Sequence, residues 1–263
     1  MSGTYESVSY FRRLVADLMH FSMKVPSVTV ERHLELAPLV AARRASTPTP
    51  AWSAIFTKAY AVVAARTPAL RTSYLTFPWD RLYVHHTNIA TLNIDRQLAD
   101  ERVVIYSLIE NPESRMLQEL DAIIRSHQDD PVTNISSYRR AVRLSRVPWP
   151  FRRWVWWAAL NTFGTIRCNN FGTFAISSVG SQGAGITHLL PLLTSQIHYG
   201  MIDAAGRLEM RLSFDHRVLD GCTAAAALAD LEAVLLGEIL DECLKSASAG
   251  NSAVVSQAHM PCL

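Results

Sequence analysis

The sequence predicts one α/β domain built around a mixed β-sheet. Segments with the two-residue alternation of β-strands are interrupted by segments in which apolar residues recur every three or four positions, as they do in helices. No linker rich in proline, glycine or serine divides the chain. Its 263 residues suit one large domain or two small ones, and 49% of them are hydrophobic, enough for a sizeable core. We expect a single domain over residues 1–245 and a disordered tail over 246–263.

The first half of the chain predicts three helices and four strands. Apolar residues at helical spacing mark the helices, and a proline stands at or near one end of each. Thr49 is the expected N-cap of the second helix, with Pro50 in its first turn. The third helix is expected to start at Asn111. The helices are expected over 6–23, 50–65 and 111–128, and the strands over 28–36, 71–77, 81–94 and 101–110.

Residues 137–163 form a segment unusually rich in arginine and aromatic residues. It contains six arginines and six tryptophan or phenylalanine residues, and Pro148 and Pro150 divide it into helical pieces. The segment has three interpretations: a packed helix that covers the sheet, a wall of an apolar substrate pocket, or a surface that docks on a membrane or a partner. Trp154 and Trp157 are the candidates for lining a pocket.

The last third of the chain predicts three strands and a closing helix. A glycine-rich loop follows the first strand, and it lacks a P-loop lysine, so we interpret it as a turn. The other two strands are expected to pair as a hairpin across Asp203-Ala204-Ala205-Gly206. The strands are expected over 172–178, 195–202 and 207–215, and the helix over 222–244.

Composition excludes several functional classes. A net charge of +2 is too small to indicate nucleic acid as a partner. The four cysteines have no zinc-binding spacing and read as reduced thiols of a cytoplasmic protein. No cluster of His, Cys, Asp and Glu has metal-ligand spacing, so no metal is expected. We find no secretory signal and no apolar run long enough to span a membrane.

The most informative motif is residues 213–221, in which His216 stands four residues ahead of Asp220 and Gly221. A strand end that presents histidine to solvent suits a general base, because histidine has the pKa nearest neutrality. His85 or its neighbour His86 is a weaker candidate for a second active-site histidine. The remaining histidines, His198 among them, are interpreted as solvated or core residues.

Two motifs resemble one acyltransferase superfamily. Residues 213–221 resemble the Asp-His-Arg-x-x-Asp-Gly signature of the chloramphenicol acetyltransferase superfamily, and most closely the catalytic domain of the dihydrolipoyl acyltransferases of 2-oxo acid dehydrogenase complexes. Residues 172–180 resemble the Gly-x-Phe-Thr-Ile-Ser-Ser-Leu-Gly segment of the same family. Residues 10–29 resemble its opening helix and strand entry. The family's lipoyl and subunit-binding domains have no counterpart here, and neither does the aromatic segment 147–163, which favours a stand-alone acyltransferase.

The resemblance implies a fold, an assembly and roles for named residues. It implies the chloramphenicol acetyltransferase-like fold, with a mixed sheet flanked by helices, assembled as a homotrimer with active sites at the subunit interfaces. His216 of one subunit would be the general base, and Ser177 of its neighbour would donate to the oxyanion. Ser178 is the alternative donor, because adjacent strand residues face opposite sides.

The resemblance also implies residues that shape the histidine loop. Asp220 would pair with an arginine and hold the loop, with Arg12 as the best-placed partner. Gly221 would allow a tight turn into the helix.

The implied activity is acyl transfer from a CoA thioester, or from a carrier-protein thioester, to a small hydroxyl, amine or thiol. The transfer would be direct, in a ternary complex, and no cofactor would be bound permanently. Three alternatives remain: a dihydrolipoyl acyltransferase that uses lipoyl on another chain, a non-catalytic trimeric scaffold or binding protein of the same fold, and an amide-forming condensation or cyclisation.

Overall fold

The computed structural model describes residues 3–98, 101–179 and 183–248, which form two β-sheets and eight α-helices. The strands are β1 (Ser27–Glu35), β2 (Thr72–Leu75), β3 (Arg81–Val84), β4 (Ile89–Leu98), β5 (Glu101–Glu110), β6 (Phe174–Ser177), β7 (Ser195–Tyr199) and β8 (Arg207–Asp215). The α-helices are α1 (Tyr10–Ser22), α2 (Ala37–Ala45), α3 (Trp52–Arg66), α4 (Leu117–Asp129), α5 (Ser136–Ser145), α6 (Trp149–Asn161), α7 (Gly164–Phe171) and α8 (Gly221–Val234).

The larger sheet is mixed, as the sequence predicts. Its six strands have the order β1-β8-β7-β6-β4-β5. Strand β6 runs parallel to both of its neighbours, β4 and β7, whereas the other neighbouring strands are antiparallel. Strands β2 and β3 form a separate antiparallel pair. The prediction of an α/β fold with a mixed sheet flanked by helices is confirmed.

One face of the larger sheet forms the main core. Leu92, Ile176, Ile197 and Leu212 lie side by side across β4, β6, β7 and β8, and each is almost completely buried. Apolar side chains of α3, α4 and α8 pack against this row. Burial of this apolar surface is the main force that holds these helices on the sheet.

The opposite face carries a row of polar side chains at the adjacent position of each strand. Because successive strand residues point to opposite faces, the neighbours of the core row point away from the core. Leu92 pairs with Ile176, so the next residues of β4 and β6 also lie side by side. From one edge to the other, this polar row consists of Tyr106, Asn93, Ser177, His198, Arg211 and Glu31.

Helices α1, α6 and α7 cover part of the polar face. Trp156 of α6 is stacked between Phe21 of α1 and Phe171 of α7, with ring centroids 6.0 and 5.1 Å apart. Ala175 of β6 completes this small cluster. The covering helices therefore lie beside the strand that ends at Ser177.

Two helix starts differ from the prediction. Thr49 does not cap a helix, because its hydroxyl donates to the Ser46 carbonyl, and α3 begins at Trp52. Asn111 adopts a left-handed backbone conformation, with φ 49°, which begins a short 3-10 turn. Helix α4 begins only at Leu117. Both predictions placed the helix start at a proline that instead lies in the preceding turn.

Other elements were divided or missed. The strand expected over 81–94 is two strands, because β3 pairs with β2 whereas β4 pairs with β5. Helices α2 and α7 were not predicted, since each is short; α2 has nine residues and α7 has eight. Gly164 begins α7 under the ring of Tyr83, where a Cβ would lie 2.1 Å from a ring carbon.

The C-terminal helix extends beyond its predicted end. After α8 the chain continues through a π-helical turn, Leu235–Ile239, into a helical segment over 240–248. The expected disordered tail therefore starts too early, since residues 246–248 are helical, and residues 249–263 lie outside the described part of the chain. Within the described ranges, no helix combines the length and apolar character needed to cross a bilayer.

Candidate active site

His216 lies in the turn between β8 and α8, and its side chain is exposed. Its backbone N–H donates to the Pro26 carbonyl at 2.9 Å, and its ring centroid lies 5.6 Å from that of Phe214. These contacts tie the turn to the entry of β1. They leave the imidazole open to a ligand or to a second chain.

Asp215 and Arg217 shape the turn that carries His216. The Arg217 guanidinium donates to both carboxylate oxygens of Asp215, at 2.9 and 2.7 Å, and lies 4.3 Å from the centroid of the Tyr74 ring. Asp215 is buried, and its N–H donates to the Thr194 carbonyl at 2.9 Å. A bidentate pair fixes geometry as well as charge. Neither residue has a role in the predicted site, although their opposite charges flank the histidine in the sequence.

Asp220 has a different role from the expected one. Its carboxylate accepts a hydrogen bond from the Thr223 N–H at 2.8 Å and caps α8, and this bond lowers the pKa of Asp220. The expected ion pair between Asp220 and Arg12 is wrong within one chain. Arg12 lies 3.6 Å from Glu101 on β5, at the opposite edge of the sheet from β1 and its neighbour β8.

Gly221 is the first residue of α8, and its conformation does not require glycine. The described glycines with positive φ are Gly172, Gly183 and Gly206. A Cβ at Gly221 would meet no atom within 4 Å in one chain. The expectation that Gly221 enables a tight turn is therefore wrong in one chain, where Asp220 starts the helix by capping it.

Ser177 is buried at the end of β6 and contacts His198, its neighbour on β7. The distance between Ser177 Oγ and His198 Nδ1 is 3.2 Å. The Ile186 N–H donates to His198 Nε2 at 2.9 Å, so Nε2 must be unprotonated. Burial, followed by the charge of Arg211, lowers the pKa of His198 and keeps the ring neutral at pH 7. Because Nε2 has no hydrogen of its own, the neutral ring carries its single proton on Nδ1.

This tautomer determines which partner donates to the other. His198 Nδ1–H donates to Ser177 Oγ, and the serine's own hydrogen remains available for a ligand. The sequence analysis missed His198, because only the pairing of β6 with β7 places it beside Ser177. Ser178, the alternative donor, instead gives its hydroxyl hydrogen to the Tyr199 carbonyl at 3.0 Å.

Arg211 holds the loop segment that contacts His198. Its guanidinium donates to the Ile186 carbonyl at 2.7 Å and to Glu31 at 2.7 Å. Ile186 is thus held on both sides of its backbone, by Arg211 through the carbonyl and by His198 through the N–H. Arg211, a member of the polar row, therefore holds in place the Ile186 N–H, and this N–H determines the His198 tautomer.

His216 and Ser177 lie far apart within one chain. The residue of β8 in the same row as Ser177 is Arg211, two strands away, or about 10 Å. Asp215, which precedes His216, lies four residues farther along β8, or about 13 Å. His216 follows the end of β8, whereas Ser177 lies in the row that crosses the middle of the long strands, so one chain does not bring the two side chains to the same substrate atom.

A cavity of about 1430 Å³ opens beside Ser177. Its walls come from α1, β4, β5, α5, α6 and α7, and both pocket candidates from the sequence, Trp154 and Trp157, line it. His85 is not part of its lining. It is buried near β3 with its Nε2 2.8 Å from Ser73 Oγ, and burial lowers its pKa to about 4. His85 is therefore a buried histidine outside this cavity, and the structure gives no support to its expected place in a substrate pocket.

The aromatic segment is both a packed cover and a cavity wall. Arg152 and Arg153 of α6 both contact the carboxylate of Asp17 on α1, and Asp17 and Arg152 are almost fully buried. On the other side of α6, Trp154 is 65% exposed at the cavity. The packed-helix interpretation therefore holds, and the same helix also lines a cavity, whose role as a substrate pocket stays a prediction.

Metal ligands do not cluster in the described part of the chain. No group of three or more His, Cys, Asp or Glu residues there is arranged to hold a metal ion.

Neither a protein-family model nor a curated protein matches this sequence. Solved structures do match. A probable dihydrolipoamide acetyltransferase from Listeria monocytogenes 4b F2365 is 17% identical with a TM-score of 0.63, over 89% of this chain and 94% of that one. A truncated catalytic core of the 2-oxoacid dehydrogenase multienzyme complex from Thermoplasma acidophilum is 15% identical with a TM-score of 0.62, over 90% of this chain and 99% of that one.

A third structure concerns catalytic residues. The Azotobacter vinelandii dihydrolipoamide acetyltransferase is 20% identical with a TM-score of 0.61, over 89% of this chain and 93% of that one. It was studied for the role of a serine, a histidine and an asparagine in the catalytic mechanism. The chain therefore has the fold of the dihydrolipoamide acetyltransferase catalytic cores, which is the fold that its motifs predict.

Proposed function

We propose that this protein is an acyltransferase that moves an acyl group from a thioester to a small hydroxyl, amine or thiol acceptor. One observation carries the proposal: His198 donates to the Ser177 oxygen and leaves the serine hydrogen available beside an apolar cavity. A hydroxyl held in this way suits an oxyanion that develops on a carbonyl carbon.

His216 is the proposed general base. It takes the proton of the acceptor as the acceptor attacks the thioester carbonyl, and the Ser177 hydroxyl donates to the resulting oxyanion. When the carbon–sulfur bond breaks, the leaving thiolate takes the proton from the imidazolium. Acyl transfer is then direct, without an acyl-enzyme, and the proposal requires no permanently bound cofactor.

The proposed site lies between two copies of the chain. Because Ser177 lies about 10 Å across the sheet and about 13 Å along it from Asp215, the residue before His216, each is proposed to complete its site with the residue of a neighbouring copy. The matched core from Thermoplasma acidophilum belongs to a multienzyme complex, which supports self-assembly. A closed trimer places one such interface at each subunit contact.

The Azotobacter vinelandii structure supports these roles. Its histidine and asparagine are four residues apart, which is the spacing of His216 and Asp220. In this chain Asp220 caps α8, so we propose that it positions the histidine turn and does not contact the substrate. A cytoplasmic location and CoA as the thioester carrier remain parts of the proposal.

Turnover tests the proposal directly. Purified protein is incubated with acetyl-CoA or longer acyl-CoAs and a mixture of small alcohols, amines and thiols, and release of free CoA thiol is measured. We expect His216→Ala to lower the rate about 10²–10⁴-fold and Ser177→Ala about 10²–10³-fold. A control, Ser136→Ala at the exposed start of α5, should leave the rate unchanged.

The same assay separates the alternatives. Activity only with dihydrolipoamide as acceptor would favour a dihydrolipoyl acyltransferase, the activity named in the matched structures. A scaffold would be favoured by two results together: the wild type transfers no acyl group from any carrier to any acceptor, and His216→Ala still assembles. These results would contradict the proposal.

A further inference from the structure

We propose that the cavity beside Ser177 binds the hydrocarbon chain of the transferred acyl group, so that the preferred donors are medium- or long-chain acyl thioesters. This inference rests on the proposed acyl transfer and adds the substrate class to it. Four features of the described residues support it: where the cavity begins, what lines it, how large it is and how its wall is held.

The cavity begins at the proposed site of reaction. Ser177, Ser178 and Val179 are part of its lining. A thioester carbonyl within hydrogen-bond reach of the Ser177 hydroxyl has its substituent beside the cavity lining. The lining also includes Asn93 of β4 and Tyr106 of β5, so the cavity extends across about 10 Å of sheet from Ser177.

The lining matches an uncharged, apolar ligand. Helices supply most of the large apolar side chains of the wall: Val15, Leu18, Leu144, Trp154, Trp157, Ile166. Two of the three lining arginines are paired with lining carboxylates, Arg102 with Asp95 and Arg12 with Glu101, and the third, Arg140, donates to the Asn169 carbonyl. A hydrocarbon chain fits these walls, whereas an anionic group would compete with carboxylates already in place.

The size of the cavity exceeds the needs of an acetyl group. At about 1430 Å³ it is larger than the roughly 300–1,000 Å³ of ordinary small-molecule pockets. Each methylene that leaves water for an apolar wall strengthens binding about fourfold. An acetyl donor would leave nearly all of this wall in contact with water.

The aromatic wall is already formed before any ligand binds. Asp17 holds both Arg152 and Arg153, which fixes α6 against α1. Trp156 is packed between two phenylalanine rings on the covered side of the same helix. Trp154 and Trp157 are therefore presented to the cavity by a fixed helix, so little ordering free energy opposes binding of a chain.

Two measurements with the full chain test the inference. Binding of free fatty acids of increasing length is followed by tryptophan fluorescence and melting temperature, and CoA release is followed with acetyl- to palmitoyl-CoA. We expect the dissociation constant to fall about fourfold per methylene over the first several carbons and the rate to peak at a medium or long chain.

Variants that fill the cavity provide the specific test. Ala158 is half-buried on α6 and lines the cavity, so Ala158→Phe should move the preferred donor to a shorter chain while acetyl transfer is retained. Ala141→Leu, on the α5 side of the cavity, should do the same if Ala158→Phe folds poorly. The matched control is Ala122→Phe on the exposed side of α4, which should change neither quantity.

The outcomes separate this inference from the proposed function. Acetyl transfer with no dependence on chain length overturns the inference and leaves the acyltransferase standing. Length-dependent fatty-acid binding that Ala158→Phe abolishes, with no transfer from any donor, supports the cavity as a hydrocarbon site and overturns the acyltransferase. A change in oligomeric state in both filling variants, without any effect of chain length, identifies the cavity as a contact between copies and overturns the inference.

Discussion

At the scale of single residues, the site depends on one imidazole tautomer. The Ile186 N–H can only donate, so its bond to His198 Nε2 places the ring proton on Nδ1. That proton satisfies one lone pair of Ser177 and turns the hydroxyl into a donor toward the cavity. In the proposed mechanism His198 therefore acts through Ser177, as a positioning residue with both ring nitrogens already bonded to the protein.

Replacing His198 should lower kcat more than it changes KM. In His198→Ala the Ser177 hydroxyl loses its fixed partner and rotates among other acceptors, so we expect about a tenfold to hundredfold loss in kcat, in the range seen for supporting partners of active groups. His198→Asn keeps an N–H donor close to the position of Nδ1 and should restore part of the rate. Steady-state kinetics of the three proteins measures both constants.

A control separates positioning from folding in this series. Thr29→Ala removes the hydroxyl that lies 2.6 Å from Ser213 Oγ on the same face of the sheet but three strands from Ser177. It should leave kcat unchanged at a similar cost in melting temperature. Equal losses of kcat in His198→Ala and His198→Asn, in proportion to stability, would contradict a positioning role.

At the scale of elements, the arginines of α6 anchor the helix. Asp17 and Arg152 have side chains that are 1% and 6% exposed, and Arg153 makes a second contact with the same carboxylate. A charge this deeply buried is tolerated only while its partner is present. The arginines therefore hold α6 on α1, and the tryptophans of the same helix form the cavity wall.

Removal of Asp17 should destabilise the protein strongly. Asp17→Ala leaves Arg152 buried without a counter-charge, so we expect the free energy of unfolding to fall by about 3–5 kcal/mol. The matched control is Glu238→Ala, which breaks a pair with Arg66 whose side chains are 55% and 57% exposed. It should cost less than about 1 kcal/mol. Urea denaturation measures both variants. Similar losses in the free energy of unfolding would refute the anchoring role of Asp17.

At the scale of the whole molecule, the sheet separates two halves of the proposed site. The rigid row from Ser177 through His198 to Arg211 ends far from the turn that carries His216. Both groups are held in place, His216 by its turn and Ser177 by His198. The geometry thus favours a site that each chain completes for another and does not complete for itself.

Mixing two inactive variants should restore activity. His216→Ala chains still supply Ser177, and Ser177→Ala chains still supply His216, so co-expressed or unfolded and refolded mixtures contain intact sites. In a closed trimer with random assembly about a quarter of the sites combine both native residues. CoA release by the mixture, compared with each variant alone, measures this recovery. If no mixed sample regains activity, the result would contradict a shared site.

Buried histidines should make the whole fold sensitive to mild acid. Burial, with the nearby charges of Arg167, Arg71 and His86, lowers the folded-state pKa of His85 to about 4, whereas an unfolded histidine titrates near 6.5. Between these values the unfolded chain binds a proton that the folded chain does not. The stability contribution of neutral His85 is therefore complete above about pH 6.5 and is lost as the pH falls toward 4.

Urea denaturation across this pH range checks the prediction. His85→Gln retains a partner for Ser73 without a titrating ring, so its free energy of unfolding should fall less steeply between pH 6.5 and 4 than that of the wild type. Taking the difference between the two proteins removes the contribution of carboxylates that titrate in the same range. Parallel curves would show that His85 does not contribute.

The sequence by itself determined the fold class and identified Ser177 and His216 as candidate site residues. Alternation with a period of two and apolar spacing of three to four residues are local signals, so they identified the mixed sheet and most helices without knowledge of contacts. The motifs around Ser177 and His216 are also local, each within nine residues of chain. The cap at Asp220 was readable locally as well, because aspartate before a helix is a common N-cap, but the resemblance to the family favoured an ion pair instead.

Only the tertiary structure decided how these residues are supported. His198 lies 21 residues from Ser177, and Asp17 lies 135 residues from Arg152, so strand register and helix packing alone bring each pair together. The same register places Ser177 in the middle of the sheet and His216 beyond the end of β8. Contacts between distant residues depend on how every intervening element packs, and no local pattern in the sequence carries that information.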